Sequence, residues 1–401
     1  MRNPIGEKLM KEAYIVQSVR TPGCKQNRGL YKQTRPEELI TFIMKSAVEK
    51  TKNLQPENID DVMLGCSFPE AEQGLNLGRV AAQMAGFPDK VSGAVVNRFC
   101  ASGLEAIAMA SARVQMGWAD ITIGAGVESM TFVPMGGNNP RPHPEFSVTN
   151  PEMYISMGIT AENVASRYDV SREDQDKFAA KSQAKAARAR DNGLFTEIVP
   201  TPAYKYVKQT DGTYKKEQFI VEHDDGIRES TPEGLGKLRT VFSAVGSVTA
   251  GNSSQTTDGA AATIIASKEK CDELGLEPIA KLIAYSTIGC KSDEMGVGPR
   301  YAIPKVLEQA GLTIDDIDIY EINEAFASQA IYSIRELDLE KYMDKINIHG
   351  GAIALGHPLG CTGAKLTATC LANLKEVKGK YGIVSMCIGG GMGAAAIFER
   401  L

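Results

Sequence analysis

The sequence has no long hydrophobic run, little histidine and no excess of positive charge. None of its apolar stretches approaches the roughly 18 residues of a membrane-spanning helix, so no membrane span is expected. Lysine and arginine number 44 against 49 aspartates and glutamates, a formal net charge of −5, which gives no basic footprint for nucleic acid. The segment from Met1 to Glu12 is charged and lacks the apolar core of a signal peptide. We therefore expect a cytoplasmic protein without a nucleic-acid partner.

Cysteine pairs with metal-binding or redox spacing are also missing. The eight cysteines lie at positions 24, 66, 100, 271, 290, 361, 370 and 387, and no two have the CxxC spacing. A chain of 401 residues does not depend on a disulfide framework, so we expect reduced thiols that are mostly buried as small apolar residues. No spacing of cysteine, histidine and carboxylates matches a metal site, and no metal is expected.

Three common functional motifs are also incomplete or absent. Gly391 and Gly393 begin a loose G-x-G-x-x-A match, but too few residues follow to complete a dinucleotide-binding unit. Gly351 to Gly356 have the spacing of a phosphate-binding loop, with His357 where that loop requires lysine. No G-x-S-x-G nucleophile elbow occurs. The sequence therefore indicates neither a nucleotide-binding fold nor a serine hydrolase of these kinds.

Apolar, β-branched runs alternate with amphipathic helical patterns along the chain. Before residue 131 the alternation predicts strands at 13–19, 62–65, 94–97 and 121–126 and helices at 37–50 and 102–116. After residue 276 it predicts strands at 279–286, 317–322, 383–386 and 394–398 and helices at 302–310, 325–337 and 363–374. Such a pattern is typical of an α/β protein with a largely internal sheet.

The two ends of the chain resemble each other. Ile59 and Ile317 lie in similar segments 258 positions apart, and Cys100-x-Ser-Gly parallels Cys361-x-Gly at 261 positions. A near-constant offset indicates an internal duplication. We predict an N-terminal half over 1–130 that is completed by 243–275, a C-terminal half over 276–401, and a polar inserted loop domain over 131–242. A pseudo-twofold axis would then bring the turns of Cys100 and His357 face to face.

Three short segments carry reactive side chains among glycines. Cys100 lies between a predicted strand and a predicted helix, where the helix macrodipole is expected to lower a thiol pKa. His357 alone among four histidines is framed by glycine and proline in a turn, which suits a general base. Cys387 precedes glycines 389–391, whose N–H groups can form an oxyanion hole. Asn323 follows a further strand, and by itself it favours a helix N-cap.

At these residues the chain resembles the thiolase family, specifically the degradative 3-ketoacyl-CoA thiolases (acetyl-CoA C-acyltransferases). The resemblance runs from about Tyr14 to the C-terminus. It is carried by the ordered motifs Arg20-Thr-Pro22, Asn97-Arg-x-Cys-x-Ser-Gly103, Gly126-x-Glu-Ser-Met130, Met157-Gly-x-Thr-Ala-Glu162, Ala250-Gly-Asn-Ser-Ser254, Asp258-Gly-Ala260, Asn323-Glu-Ala-Phe-Ala327, Gly356-His-Pro-x-Gly360 and Cys387-x-Gly-x-Gly-x-Gly393.

The resemblance implies a five-layered αβαβα thiolase fold of two duplicated halves with an inserted loop domain. Cys100 would attack the 3-keto carbon of a 3-ketoacyl-CoA, His357 would take the thiol proton, and Cys387 would protonate the departing acetyl-CoA enolate. A second CoA would then remove the acyl group. One oxyanion hole would use His357 with a water held by Asn323, and the other would use the N–H groups of Cys100 and Gly389.

The resemblance also implies a path for CoA, which would act as a co-substrate without any further cofactor. The residues on this path would be Arg228, Phe242, Ala250 and Ser254 along the adenine and pantetheine parts, and Met157 and Phe326 near the thioester. The family forms homodimers or homotetramers, and a β-oxidation partner enzyme is left open.

Three alternatives also stay open. An acetoacetyl-CoA thiolase working in the condensing direction would differ in chain-length preference, although Ser156 stands where biosynthetic enzymes usually carry histidine. A decarboxylating ketoacyl synthase would not need a second thiol such as Cys387. A silent acyl-CoA-binding protein would be expected to have lost a reactive residue. The final residue, Leu401, does not complete a peroxisomal Ser-Lys-Leu tail, which favours a bacterial-type cytoplasmic enzyme.

Overall fold

The computed structural model of the protein describes residues 10–401, so most of the segment from Met1 to Glu12 lies outside the described residues. The strands are β1 (Ala13–Arg20), β2 (Cys24–Lys25), β3 (Asp61–Gly65), β4 (Ser92–Val96), β5 (Ile121–Ser129), β6 (Thr201–Lys208), β7 (Tyr214–Val221), β8 (Thr257–Ser267), β9 (Ala280–Gly289), β10 (Ile319–Ile322), β11 (Tyr381–Ile388) and β12 (Met392–Arg400).

Each predicted helix is present within a few residues of its predicted bounds. The helices are α1 (Pro36–Lys50), α2 (Leu77–Met84), α3 (Ser102–Gln115), α4 (Pro144–Thr149), α5 (Met157–Arg167), α6 (Arg172–Asp191), α7 (Pro232–Gly236), α8 (Lys268–Leu274), α9 (Gly298–Ala310), α10 (Ala327–Glu336), α11 (Ala352–Leu355) and α12 (Thr362–Val377). The predicted strands are present too, whereas β2, β6, β7 and β8 were not predicted from the sequence.

The two halves contain sheets with the same strand order. In the first half β3, β5, β8 and β1 lie side by side, and in the second half β10, β11, β12 and β9 do. In each series the first pair of strands is parallel and the next two pairs are antiparallel. The sheets meet where Ile15 pairs with Ala280. This repeated topology confirms the internal duplication.

Alternate side chains of each sheet face different helical layers, since successive residues of a strand point to opposite faces. Ile383 and Ile397 pack in a core with α9 and α10, whereas Val384 and Phe398 pack in a core with α3 and α12. Helices α1 and α2 cover the outer face of the first sheet. The layers therefore run helix, sheet, helix, sheet, helix, which confirms the five-layered fold. We call α3 and α12 the middle layer.

Glycines allow the two middle-layer helices to approach each other closely. A Cβ at Gly363 would lie 2.2 Å from the backbone nitrogen of Leu104, and a Cβ at Gly103 would lie 2.7 Å from that of Ala364. Such distances are far below van der Waals contact. The first turns of α3 and α12, and with them the segments that precede these helices, are therefore held face to face.

The structure corrects one detail of the duplication. The 3-10 turns that precede α3 and α12 are Phe99–Ala101 and Leu359–Cys361, which are 260 positions apart. Cys100 therefore corresponds to Gly360, and the sequence match of Cys100 with Cys361 was wrong by one residue. The motif was too short to fix the register, whereas the two turns fix it through their geometry.

The segment between β5 and β8 contains helices α4 to α7 and the hairpin of β6 and β7. Helix α6 begins after Ser171, whose hydroxyl accepts a hydrogen bond from the Asp174 N–H. It packs against α10 and α11 of the C-terminal half. Among residues 10–401, no helix is both long and apolar enough to cross a membrane. The domain boundaries remain predictions.

Candidate active site

The turn between β4 and α3 presents Cys100 in a constrained backbone. Phe99 has a φ of 43°, a left-handed conformation that is costly for a residue with a side chain. Its N–H donates to Asn97 Oδ1 at 2.8 Å, and its carbonyl accepts from Ser102 Oγ at 2.7 Å. The neighbouring motif residues therefore stabilise the backbone conformation that places Cys100 at the start of α3.

Burial determines the protonation of the Cys100 thiol. Burial raises the pKa of Cys100 to about 12, although the backbone N–H groups of Gly389 and of Cys100 itself favour the thiolate. The expectation of a lowered pKa at the helix N-terminus is therefore wrong for the resting site, because desolvation outweighs the helix dipole. Cys100 rests as a thiol, and a base must remove its proton as it attacks.

Both ring nitrogens of His357 have side-chain neighbours. Nδ1 lies 2.6 Å from Thr362 Oγ1, and Nε2 lies 3.4 Å from Asn323 Nδ2. Because an amide nitrogen only donates, we assign the ring proton to Nδ1, which leaves Nε2 as the acceptor. Burial, and then the charge of Lys365, lower the pKa of His357 to about 3. The ring is therefore a neutral base that can accept a thiol proton.

The backbone before His357 is fixed by β8 and by a buried lysine. The His357 N–H donates to Thr257 Oγ1 at 3.1 Å. Gly356 has a φ of 80°, and a Cβ there would lie 2.2 Å from the same hydroxyl. Lys365 Nζ donates to the carbonyls of Leu355 and Gly356 at 2.6 and 2.9 Å. Glycine at 356 is therefore required by both its conformation and its close neighbour.

Lys365 belongs to a buried cluster of charges. Arg20 forms ion pairs with Glu197 at 2.9 Å and with Asp224 at 2.8 Å, and all three side chains are buried. Burial lowers the pKa of Lys365 to about 8, although the charge of Asp224 opposes this shift. Removing one member of such a cluster leaves uncompensated buried charge. The cluster therefore ties β1 and the inserted segment to the His357 turn.

Cys387 lies within β11, near its end, and is fully buried. Its Sγ lies 3.5 Å from Gln329 Oε1. Burial raises the pKa of Cys387 well above its ordinary value, and negative charge on Cys100 or Cys290 would raise it further. Cys387 therefore also rests as a thiol, close enough to Cys100 for the two thiols to influence each other.

Asn323 lies between β10 and α10 without capping the helix, whose N-cap is Phe326. The N-cap interpretation of Asn323 is therefore wrong. Its N–H donates to the Ser385 carbonyl at 2.9 Å, which fixes it beside β11. Its Oδ1 is buried and has no partner among residues 10–401. A free buried acceptor opposite His357 fits the water-holding role that the resemblance implies.

Two of the residues predicted to contact CoA lie at the surface. Arg228 and Ala250 line an open groove of about 540 Å³, and Arg228 Nη2 lies 3.3 Å from the Ala250 carbonyl. Ser254 lies deeper, where its N–H donates to the Ala325 carbonyl at 2.9 Å. Arg228 therefore places an exposed cation at the groove, and Ser254 is joined to the segment that carries Asn323.

The remaining predicted CoA contacts lie next to the thiols. The rings of Phe242 and Phe326 meet edge to face with centroids 6.0 Å apart. Both rings and Met157 belong to or pack against the apolar cluster that contains Cys387. A Cβ at Gly389 would lie 3.5 Å from Met157 Sδ, which places Met157 beside the glycine whose N–H faces Cys100. The predicted CoA contacts therefore extend from the surface to the reactive groups.

Sequence reasoning missed several supporting residues. Thr362 and Ser102 occupy equivalent positions 260 apart in the two halves, a match that could have identified Thr362. Lys365 is a lone charge in an apolar helical pattern. Gln329 had no signal beyond its place in the first turn of a helix. No cluster of metal-binding side chains occurs among residues 10–401.

Comparisons with known proteins were made for the whole sequence. A family model described as the N-terminal domain of thiolase matches residues 13–269, and one described as the C-terminal domain of thiolase matches residues 276–400. The chain is 47% identical over 392 residues to a 3-ketoacyl-CoA thiolase of Bacillus subtilis, covering 97% of this chain and 100% of that protein.

Solved structures agree over nearly the full length. The dimeric peroxisomal thiolase of Saccharomyces cerevisiae has a TM-score of 0.85 and 38% identity, covering 98% of each chain. The acetyl-CoA acetyltransferase of Bacillus anthracis has a TM-score of 0.88 and 36% identity, covering 98% of this chain and 100% of that one. With both family models, this similarity establishes that the chain belongs to the thiolase family.

Proposed function

We propose that the protein is an acetyl-CoA C-acyltransferase that uses CoA to cleave 3-ketoacyl-CoA into acetyl-CoA and a shortened acyl-CoA, as in fatty-acid β-oxidation. The observation that carries this proposal is the placement of two buried thiols, Cys100 and Cys387, together with the neutral base His357. Carbon–carbon cleavage needs a nucleophile at the keto carbon and an acid at the departing carbon. One thiol alone supplies only the first of these groups.

In the first step, His357 Nε2 takes the Cys100 proton as the sulfur bonds to the keto carbon. The N–H groups of Cys100 and Gly389 are placed to stabilise the resulting oxyanion, and one such donor typically contributes about 10²–10³ in rate. The carbon–carbon bond then breaks, and its electron pair leaves with the acetyl-CoA enolate. Cys387 gives its proton to the enolate carbon, while His357 and a water held by Asn323 stabilise the enolate oxygen.

In the second half-reaction, a CoA thiol replaces the departed acetyl-CoA. Cys387, now a thiolate, takes the proton of that thiol, and the CoA sulfur attacks the acyl carbon on Cys100. The acyl group leaves as acyl-CoA, and the Cys100 sulfur recovers its proton from His357. Each of the three groups thus returns to the neutral form in which it rests.

The second candidate is an acetyl-CoA C-acetyltransferase, or acetoacetyl-CoA thiolase, working in the condensing direction. The Bacillus anthracis protein is described as an acetyl-CoA acetyltransferase, and its fold matches that of this chain. The higher identity to the Bacillus subtilis 3-ketoacyl-CoA thiolase, together with Ser156 in place of the biosynthetic histidine, supports the degradative activity. The decisive difference is the length of the acyl chain that the enzyme accepts.

We also propose a homo-oligomer in the cytoplasm. The yeast relative is described as dimeric, which supports at least a dimer. That relative is also described as peroxisomal, whereas similarity to the Bacillus subtilis protein supports the cytoplasm, because bacteria have no peroxisomes. We propose CoA as the sole co-substrate, without a further cofactor.

The direct test is CoA-dependent cleavage of 3-ketoacyl-CoAs of four, medium and long chain length, with Cys100→Ala as the control. Cleavage that improves with chain length supports the degradative enzyme, and activity confined to four carbons supports the acetyltransferase. CoA binding without any cleavage would instead favour a silent acyl-CoA-binding protein. Retained turnover in Cys100→Ala would contradict the mechanism.

The role of Cys387 is tested by separating the two half-reactions. Cys387→Ala should slow carbon–carbon cleavage more than thiolysis of a preformed acyl-enzyme, because only cleavage generates a carbanion. The two rates can be followed by single-turnover release of acetyl-CoA and by acyl transfer to added CoA. Equal losses in the two steps would count against Cys387 as the acid.

A further inference from the structure

Gln329 connects two parts of the site that are distant in the sequence. It lies in the first turn of α10 and is fully buried. Its Oε1 accepts a hydrogen bond from the Ala325 N–H at 3.2 Å and lies 3.5 Å from Cys387 Sγ. A single side-chain oxygen therefore contacts both the segment that carries Asn323 and the thiol on β11.

The backbone of Ala325 determines how the Gln329 amide is oriented. A backbone N–H can only donate, so the amide must present its oxygen to it and cannot present its NH₂ group. The same oxygen faces Cys387. An S–H can donate to that oxygen, whereas a thiolate has no proton to offer and would be repelled by the negative end of the carbonyl dipole. The local arrangement therefore favours the protonated thiol.

We propose that Gln329 is a positioning residue that keeps Cys387 protonated and fixes its S–H before carbon–carbon cleavage. The inference rests on the proposed function, in which Cys387 is the acid, and it adds the group that maintains the proton of that acid. When Cys387 gives its proton to the enolate carbon, the resulting thiolate faces the same oxygen. This unfavourable contact promotes recovery of a proton from the incoming CoA thiol.

Other groups near Cys387 must be considered in any pH experiment. Negative charge on Cys100 or Cys290 would oppose negative charge on Cys387. The 3-10 turn Ser292–Val297, whose Met295 shares an apolar cluster with Cys387, carries Glu294, which is paired with Arg167. In an enzyme acetylated on Cys100 that sulfur is a thioester and does not titrate. The acetyl-enzyme is therefore the form in which the effect of Gln329 should be measured.

Two substitutions at position 329 separate the oxygen acceptor from simple packing. Gln329→Met retains a long unbranched side chain but removes Oε1, and it also removes Nε2, which is buried without a partner among residues 10–401. Gln329→Glu retains an oxygen of the same geometry and adds negative charge. Ser333→Ala is the matched control, because it deletes a buried, unpartnered hydroxyl one turn further along α10.

The experiment measures exchange of the acetyl-CoA methyl protons for deuterium, catalysed by the acetylated enzyme over a range of pH. Exchange requires Cys387 to take and return a proton, without formation of a carbon–carbon bond. A given exchange rate should be reached about one pH unit lower in Gln329→Met and about one unit higher in Gln329→Glu, each equivalent to a tenfold change at fixed pH. Ser333→Ala should match the unsubstituted protein.

Opposite shifts in the two variants would support the proposal. Reduced exchange at every pH with an unmoved profile would overturn it, since that result indicates a packing role alone. Gln329→Met is tested for folding by thermal unfolding. If it does not fold, the pH profile of the nearly isosteric Gln329→Glu decides: a shift to higher pH supports the proposal, and any other result overturns it. Absence of both exchange and cleavage in the unsubstituted protein would overturn the proposed function itself. An active protein with unmoved profiles would overturn only the role of Gln329.

Discussion

Burial keeps the three reacting side chains of the proposed site neutral. It raises the pKa of the Cys100 and Cys387 thiols and lowers that of His357. A neutral group is much cheaper to bury than an ion without a partner. Charge therefore develops in the site during the reaction, when the backbone N–H groups of Cys100 and Gly389 have an oxyanion to bind.

His357 should affect how stability depends on pH. Its pKa is about 3 in the folded protein and 6.5 in its ordinary state, so the unfolded chain binds a proton that the folded chain excludes. The contribution of His357 to the free energy of unfolding is present above pH 6.5 and is lost as pH falls towards 3. Urea unfolding at several pH values should show that the free energy of unfolding falls less steeply with decreasing pH in His357→Asn than in the unsubstituted protein. Equal slopes would contradict the assignment.

Thr362 should support catalysis by holding the His357 ring. Thr362→Val removes the hydroxyl beside Nδ1 while keeping a similar shape, and kcat/KM should fall by about tenfold or more because a misoriented base transfers protons poorly. Thr362→Ser, which retains the hydroxyl, should recover most of the activity. Thermal unfolding of both variants controls for folding. If the serine variant is no better than the valine variant, the hydroxyl is not the group that matters.

Sequence reasoning identified the reacting groups better than the residues that position them. Cys100 and His357 were recognisable because glycine and proline shape their local sequence. Gln329 was not, because its partner Cys387 lies 58 positions away, and glutamine in a first helical turn is common for capping reasons alone. The wrong expectation about the Cys100 pKa has a similar origin, since desolvation depends on the assembled layers and not on neighbours in the chain.

At the scale of elements, sequence analysis missed a strand whose side chains are mostly small. Strand β8 consists largely of alanine and threonine and is buried along its whole length, so it shows no apolar and polar alternation. It nevertheless lies between β1 and β5, and its first residue, Thr257, supports the backbone of His357. The strands rich in isoleucine and valine were all predicted, because a β-branched run is itself a strand signal.

The close approach of α3 and α12 should make Gly363 intolerant of substitution. A Cβ there would lie 2.2 Å from the Leu104 backbone, so Gly363→Ala must push the two helices apart. We expect a loss of about 1–3 kcal/mol or more in the free energy of unfolding, measured by denaturant titration. Gly236→Ala is the matched control, because a Cβ there meets no heavy atom within 4 Å. Equal stability of the two variants would contradict close packing of the middle layer.

At the scale of the whole molecule, the proposed site draws on both halves. Cys100 comes from the N-terminal half, whereas Asn323, His357 and Cys387 come from the C-terminal half. These groups meet because α3 and α12 share one hydrophobic core with the inner faces of both sheets. Neither half contains a complete set of reacting groups, so catalysis depends on how the halves are joined.

The C-terminal half should not fold alone. Residues 276–401 would expose the face of α12 that packs on α3, together with the inner face of their sheet, and a domain with an uncovered core face is unstable in water. Expressed alone, this fragment should lack a cooperative thermal transition by circular dichroism. Co-expression with residues 1–275 should restore one. A sharp transition in the isolated fragment would show that the shared core is dispensable.

The shared middle layer also determines which substitutions act independently. Ile43 of α1 and Val306 of α9 belong to separate outer cores, so truncations at these two positions should have additive effects on stability. Leu104 and Leu366 belong to the one central core, and a double truncation there should depart from additivity. Sequence drift in the outer layers can thus proceed separately in each half, whereas a change in the central core constrains what the other half can tolerate.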